Sequence, residues 1–335
     1  MTLNYTSLLT IIGAMFLLMA VGFFARKTGI IDDVASKRLS ALIIKIGQPM
    51  MIVAALVKAQ FSYDYLKDGL LTVAIGLGVH IFMAVLAFFF CKGFRDLDER
   101  KITEFSLVFT NAGFIGFPIM EALFGPKGLF LASFYVISFH LFIWSWGIAI
   151  LARKRDDIKL TVKKIFVNFG SVPCLIGVLL YIGIGVAQGY APDFVMPEFL
   201  IKTMDYLGNL CTPISVLITG ALLATRTPKQ IFGSGKIYYF SAMKLFVMPA
   251  IVCILLKFLA MPLGMTAESV IFYTVEAALP AAATITMFSE LYRLNAGYAS
   301  QTVGTSSLLS VATLPLMIKA AEWFVNFDFL TLFGI

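Results

Sequence analysis

The stretch "FTNAGFIGFPIM", residues 109–120, lies within an apolar run that is long enough to cross a lipid bilayer. It contains Asn111, Gly113, Gly116 and Pro118 within eight positions, and these residue types weaken or break a helix. Broken backbone is costly in lipid because its unpaired N–H and C=O groups find no water there. A break of this kind is tolerated where it is buried in protein or lines a wet cavity, so the stretch predicts a specialised site inside the membrane.

The composition is that of a membrane protein that crosses the bilayer many times. Of the 335 residues, 60% are hydrophobic and 13% are charged, and the mean hydropathy is +0.92, whereas soluble domains carry about 25% charged residues. The net charge of +7 could indicate nucleic-acid binding. Because the basic residues lie between apolar runs, we interpret them as topology signals and predict a lipid bilayer, and no nucleic acid, as partner.

Ten apolar runs are predicted to cross the membrane, and each is close to the ~20 residues that a spanning helix needs. In order, these spans are 6–24, 38–57, 69–90, 102–124, 128–151, 168–188, 200–224, 237–260, 266–291 and 297–323.

Lysine and arginine are concentrated in the odd-numbered connections between these spans, which hold eighteen of them against three in the even-numbered connections. This asymmetry predicts that the odd connections are cytoplasmic and that both termini lie outside a cell membrane. The eighteen are Arg26, Lys27, Lys37, Arg38, Lys92, Arg95, Arg100, Lys101, Arg153, Lys154, Arg155, Lys159, Lys163, Lys164, Arg226, Lys229, Lys236 and Arg293, and the three are Lys58, Lys67 and Lys127.

The chain reads as five spans repeated. Pro49 in span two and Pro213 in span seven are 164 positions apart, and the same offset pairs His80 with Lys244. Because five is odd, the second copy must face the opposite way. The predicted fold is therefore an all-α membrane protein of ten transmembrane helices in two inverted five-helix repeats, with broken helices 4 and 9 crossing at mid-membrane. This arrangement is typical of secondary transporters.

The two breaks predict a binding site. Pro118 and Pro280 are each expected in the first turn of a second half-helix, where no N–H is missed, and the N-terminal ends of these half-helices favour an anion such as a carboxylate. An ordinary proline kink with packing glycines is the alternative for one span, but matching breaks in both halves favour a site. The predicted substrate-binding residues are Asn111, Gly113, Phe114, Pro118, Ala278, Pro280, Ala281 and Thr284.

Two longer stretches resemble a known family. "TNAGFIGFPIMEALFG" (110–125) resembles the broken fourth span of the auxin efflux carrier family, and "EAALPAAATITMFSELYRLNAGYASQTVGTSSLLSVATLPL" (276–316) resembles its ninth and tenth spans. This family includes bacterial permeases for malate and related carboxylates as well as plant auxin exporters. The long central loop of the plant members is absent here, so the resemblance implies a carboxylate carrier without implying auxin.

The resemblance also implies a division of labour and a homodimer. A scaffold would comprise 1–60 and 168–230, and a transport domain that moves in an elevator-like cycle would comprise 61–155 and 231–335. The connector 156–167 has apolar residues at helical spacing among lysines, which predicts a short interfacial helix on the cytoplasmic leaflet, of open role.

Ionisable residues within the apolar runs suggest ion coupling. Glu276 lies near the middle of span nine, where an unpaired carboxylate costs roughly 2.5–3.5 kcal/mol or more and so marks a pathway or a buried partner. In the bile acid:sodium symporters, which share this broad architecture, a span-four asparagine and a span-nine glutamate help to hold sodium. Asn111 and Glu276 occupy similar places here, and further oxygens could come from Thr110, Thr305 and Ser306. Alanines follow Glu276 where those symporters carry polar residues, so sodium, protons and no coupling ion all stay open.

Three more residues carry open interpretations. His80 could carry protons or be a hydrogen-bonded packing residue. Lys244 could attract the anion or take part in ion coupling, or it could extend to the membrane surface. For Lys45 the surface is the favoured position.

Other function classes fit less well. The sequence has no Walker motif, metalloprotease helix or Gly-x-Ser-x-Gly elbow, which argues against an enzyme and against any cofactor beyond a coupling ion. A channel would show filter loops or rings of charge. The favoured function is secondary transport of small organic carboxylates such as malate, and an exporter of aromatic acids is the alternative.

Overall fold

The computed structural model describes residues 5–327 except 60, 155–166, 169, 192, 226 and 228–233, and these residues are helical apart from turns and one β-bridge. The predicted interfacial helix at 156–167 lies outside the described residues except for Val167. We number the helices in chain order: α1 Tyr5–Lys27, α2 Asp33–Val57, α3 Tyr63–Phe90, α4 Leu97–Val108, α5 Ala112–Ala152, α6 Ser171–Tyr190, α7 Glu198–Ala224, α8 Gly235–Leu263, α9 Ala267–Ala278, α10 Thr284–Leu291 and α11 Ala296–Asn326.

Eight of the helices in the described residues are long and apolar enough to cross a membrane, namely α1, α2, α3, α5, α6, α7, α8 and α11. The helices α4, α9 and α10 have 12, 12 and 8 residues, so none of them is long enough to cross alone. The all-helical class is confirmed. The count of ten spans requires α4 to be joined to the start of α5, and α9 to α10, and it stays a prediction, as does the inverted repeat.

The helix α5 consists of two arms. Gly125 separates them with φ 66° and ψ −158°, a backbone conformation that is essentially restricted to glycine. Pro126 follows directly and fits the first turn of the second arm, where its missing N–H has no partner to lose. The first arm (112–124) therefore ends where predicted span four ends, and the second arm (126–152) corresponds to predicted span five.

Several helices contain a widened π-turn next to a proline. Proline lacks an N–H and its ring clashes with the carbonyl four residues earlier, so a wider turn accommodates it without a sharp kink. Such turns are frequent at functional sites. The turns followed by proline at the first or second position of the next helical segment are Ile43–Gly47 before Pro49, Ala112–Gly116 before Pro118, Met243–Val247 before Pro249, and Leu256–Ala260 before Pro262.

Glycines allow close packing between α1 and α7. A Cβ added to Gly22 would collide with the backbone of Leu217, and one added to Gly220 would collide with the backbone of Met19. In a membrane, where lipid competes equally for apolar side chains, this close approach is what holds helices together. The pair α2 and α6 is similar, because Gly177 lies against Leu56.

A buried carboxylate joins α4 to the end of α5. The Glu104 side chain is fully buried and accepts from Arg100 Nε at 2.7 Å and from Arg153 Nη2 at 2.6 Å. Arg153 Nη1 also donates to Glu104, at 3.3 Å, so the second arginine binds both carboxylate oxygens. This cluster fixes the middle of the half-helix α4 to the end of the second arm of α5.

We expect Glu104→Gln to lower the thermal unfolding midpoint of the purified protein, because it leaves two guanidinium groups beside a neutral side chain. Breaking a buried ion pair costs about 3 kcal/mol. The control is Asp205→Asn, which removes a pair with Lys58 whose side chains are 45% and 30% exposed and should cost less than about 1 kcal/mol. Equal unfolding midpoints for the two variants would show that the Glu104 cluster contributes no more to stability than the exposed pair does.

Candidate functional site

The two broken segments meet through their backbones. Thr110, which follows α4, forms an antiparallel β-bridge with Ala281, which follows α9. Two hydrogen bonds surround it: Asn111 N donates to Pro280 O at 2.8 Å, and Ala282 N donates to Phe109 O at 3.0 Å. Each break therefore satisfies backbone groups that the other leaves unpaired, and the crossing of the two segments is a physical contact. We call this contact the crossover.

Asn111 begins the first arm of α5. Its carbonyl accepts from Ile115 N at 3.1 Å and from Gly116 N at 3.0 Å, which starts the π-turn. Its side chain is 4% exposed and does not cap this helix. The side-chain amide is thus buried next to the crossover and does not cap the helix. Both properties are expected of a group that binds a solute.

The two prolines play different parts. Pro118 is the second residue of the α-helical segment that starts at Phe117, as predicted. The prediction that Pro280 opens a second half-helix is wrong, because α10 begins at Thr284 and Pro280 lies within the break itself. Its carbonyl accepts one of the two crossover hydrogen bonds, and the extended backbone this requires is compatible with the fixed φ of proline.

Glu276 is the most unusual side chain beside the crossover. It is fully buried in the last turn of α9, and neither carboxylate oxygen has a hydrogen-bond partner among the described residues. A Cβ on Gly116 would lie 3.6 Å from its Oε2 atom, so the carboxyl group faces the π-turn of α5. Buried carboxyl groups are normally paired or protonated, and an unpartnered one needs a cation or a proton.

The hydroxyl groups proposed as further ligands divide into two groups. Those of Thr110 and Thr305 are buried and have no partner among the described residues. Ser306 is engaged already, because its Oγ accepts from Ala281 N at 3.2 Å and donates to Val303 O at 3.1 Å. It supports the backbone of the crossover.

The two basic residues paired by the 164-residue offset are both buried but make different contacts. Lys244 is fully buried and its Nζ donates to Leu107 O at 2.9 Å, so it does not extend to the membrane surface. His80 is also fully buried; its Nδ1 lies 2.6 Å from Gly76 O and its ring packs among Phe109, Tyr135, Phe139 and Phe142. These contacts favour the packing interpretation for His80.

Two residues of α2 and α7 reach the first arm of α5. Thr212 Oγ1 donates to Phe114 O at 2.9 Å. The Gln48 amide nitrogen would lie 3.2 Å from a Cβ on Gly113, and it is 3.5 Å from Nε2 of His140. Predicted substrate residues thus touch the predicted scaffold directly.

A cavity of about 950 Å³ leads from one end of the molecule to the first arm of α5 and the start of α10. Its inner part is lined by Phe114, Ala283 and Thr284, and its mouth by Arg26 and Lys37. Of the eight predicted substrate-binding residues, Phe114 and Thr284 line it, and Asn111, Pro280 and Ala281 form or flank the bridge behind it. The other three, Gly113, Pro118 and Ala278, are not part of its lining. The cavity opens at the end that carries the basic connections, which is the end predicted to be cytoplasmic.

Sequence reasoning missed one wall of this cavity. The first part of α2 supplies Ser36, Lys37, Ser40, Ile44 and Lys45 to the lining. Lys45 was expected at the membrane surface and lines the cavity instead. The signal was present as a polar stripe, because the polar residues at 33, 36, 37 and 40 recur at helical spacing, but a stripe alone does not reveal what it faces.

Comparison with known proteins agrees with this architecture. A family model described as membrane transport protein matches residues 8–318. An uncharacterized transporter of Methanocaldococcus jannaschii is 26% identical over 304 residues, which cover 90% of this chain and 94% of the relative. An uncharacterized transporter of Methanothermobacter thermautotrophicus is 21% identical over 308 residues, which cover 90% and 95%.

The cavity can be tested by cysteine labelling, because the four native cysteines are all buried. Ser40→Cys should react with a charged, membrane-impermeant thiol reagent in inside-out vesicles and stay unreactive in right-side-out vesicles. Ser269→Cys is the control, since Ser269 lines a smaller cavity of about 560 Å³ at the other end of the molecule and should show the reverse pattern. Labelling of both variants from the same side would contradict the arrangement of the two cavities.

Proposed function

The chain belongs to the membrane transport protein family, the family of the auxin efflux carriers, and we propose on that basis that it carries small organic carboxylate anions across the cell membrane. As a multi-pass membrane protein of a transporter family it is expected to act by alternating access, without covalent chemistry. The observation that carries the proposal is the crossover of two broken segments behind a cavity that opens to one side.

The electrostatics of the site favour an anion. The N-terminal ends of α5 and α10 start beside the crossover, and such ends carry partial positive charge and free N–H groups. The cavity leading there is lined by Arg26, Lys37 and Lys45, with Asp33 as the acidic residue of its lining. An excess of positive charge along an entry path raises the local concentration of anions.

An elevator-like cycle is supported by how the helices associate. The close glycine packing of α1 with α7, and of α2 with α6, suits a rigid scaffold. The contacts of Thr212 and Gln48 with the first arm of α5 would break if the parts carrying the crossover moved along that scaffold. We propose that the conformation described here is the one open to the cytoplasm.

Glu276 is proposed as the coupling group. Among the described residues, neither its carboxyl group nor the buried hydroxyl groups of Thr110 and Thr305 have a hydrogen-bond partner. Carboxylate and hydroxyl oxygens suit a hard cation such as sodium. A proton on the carboxyl group would balance the same charge.

The lining of the cavity keeps aromatic acids as a second class of substrate. Besides its polar groups it includes Ile44, Phe114, Ile218, Leu222 and Met287. An apolar wall of this kind would pack against an aromatic ring, whereas a small dicarboxylate would not use it. The two classes differ in charge and shape, so one panel of compounds separates them.

The decisive assay is counterflow in proteoliposomes with a panel of dicarboxylates and aromatic monocarboxylates. A carrier should show saturation and trans-stimulation for one class. Asn111→Ala should reduce this transport at least about a hundredfold, because the buried amide next to the crossover is lost, and the purified variant should still unfold cooperatively. Asn209→Ala, at an exposed asparagine of α7, is the control. Transport by Asn111→Ala at the wild-type rate would exclude the proposed site.

Glu276→Gln should remove the dependence of uptake on a sodium or proton gradient while retaining counterflow, because the variant cannot bind the cation or release a proton. Uptake is measured with each gradient imposed separately. Glu268→Gln is the matched control, since Glu268 is an exposed residue in the first turn of the same helix. An unchanged gradient dependence in Glu276→Gln would assign this carboxyl group a structural role.

A further inference from the structure

Lys244 makes a contact whose purpose is not explained by packing. Its side chain is fully buried, and its Nζ donates at 2.9 Å to the carbonyl of Leu107, in the last turn of α4. The last four carbonyls of a helix lack partners within the helix. Another of them, that of Phe105, accepts from Phe109 N at 2.9 Å. Lys244 thus ends α4 three residues before the bridge residue Thr110.

A hydrogen bond alone does not require a lysine. A neutral donor such as glutamine could satisfy the Leu107 carbonyl, and burying an ammonium group costs far more than burying an amide. What lysine adds over glutamine at this position is the positive charge of its protonated form. The negative group that the Lys244 Nζ contacts is the C-terminal end of α4, which carries roughly half a negative charge.

Without Lys244, the partial charges of the helix ends at the crossover would cancel. Two N-terminal ends, those of α5 and α10, bring partial positive charge, and two C-terminal ends, those of α4 and α9, bring partial negative charge of about the same size. An anion would then gain little from the set as a whole. A full positive charge at the end of α4 reverses the sign of that end and leaves the crossover net positive.

We propose that Lys244 is a positioning residue which acts through the C-terminal end of α4 and makes the crossover selective for anions. This inference rests on the proposed transport of carboxylates. It assigns the preference for negative charge to a group that does not touch the solute.

The matched variants are Lys244→Gln, which keeps a donor for Leu107 O but loses the charge, and Lys257→Gln. Lys257 lies on the same helix and also ends a helix, because its Nζ donates to Phe324 O at 2.6 Å and to Phe327 O at 2.7 Å. These carbonyls belong to the end of α11 and not to the crossover. Lys257→Gln should therefore leave anion binding within about twofold of wild type, whereas Lys244→Gln should weaken it.

The readout is the Kd of two chemically matched series, measured by thermal stabilisation of the purified protein. One series is malate, its monoamide and its diamide; the other is phenylacetate and phenylacetamide. In Lys244→Gln the Kd should rise about tenfold for a monoanion, about a hundredfold for a dianion and not for a neutral amide, since Coulomb energy scales with the ligand charge.

The outcomes separate the two claims. If wild type binds none of the five compounds, the proposed carboxylate transport fails and the role of Lys244 fails with it. If wild type binds and Lys244→Gln binds equally well, or loses affinity equally for anions and amides, the role of Lys244 alone is overturned. Should Lys244→Gln not fold, Lys244→Arg decides, because it keeps the charge and should hold the anion Kd within about threefold; a tenfold loss would overturn the proposal.

Discussion

The structure depends on two backbone hydrogen bonds, from Asn111 N to Pro280 O and from Ala282 N to Phe109 O. An unpaired N–H or C=O group inside a membrane protein costs several kcal/mol, so neither broken segment could exist at depth without a partner. By pairing with each other, the two breaks allow four helix ends to meet in the interior. The cavity, the buried carboxyl group of Glu276 and the contact of Lys244 all derive their position from this pairing.

The existence of the breaks could be predicted from sequence, whereas their register could not. Asparagine, glycine and proline within an apolar run indicate a break whatever surrounds it, and the family resemblance indicated which two segments cross. Which residues pair is decided by tertiary contact. Local residue preference predicts Pro280 at the start of a helix. In the structure Pro280 lies in the break instead, where its carbonyl accepts the hydrogen bond from Asn111 N.

The walls of the site illustrate a second limit of sequence reasoning. Glu276 and Asn111 were recognisable as candidate site residues, because a polar residue deep in an apolar run is costly and usually has a function or a buried partner. Lys45 and the serines of α2 were not, because a polar residue near the end of a span is equally at home at the membrane surface. The distinction between surface and cavity depends on the helices opposite, which come from other parts of the chain. The cluster of Glu104 with Arg100 and Arg153 was missed for the same reason.

The two buried charges beside the crossover differ in kind, and the difference bears on how such a site would work. Lys244 has a fixed partner in the Leu107 carbonyl, so the protein itself supplies an acceptor for its ammonium group. Glu276 has no partner among the described residues, so a cation or a proton is the compensation proposed for its charge. A site that carries an anion needs both: a constant positive contribution that attracts the solute, and a variable group whose state differs between the loaded and the empty carrier. Because the first belongs to α8 and the second to α9, a change at Glu276 would alter the charge of the site without disturbing the hydrogen bond that ends α4.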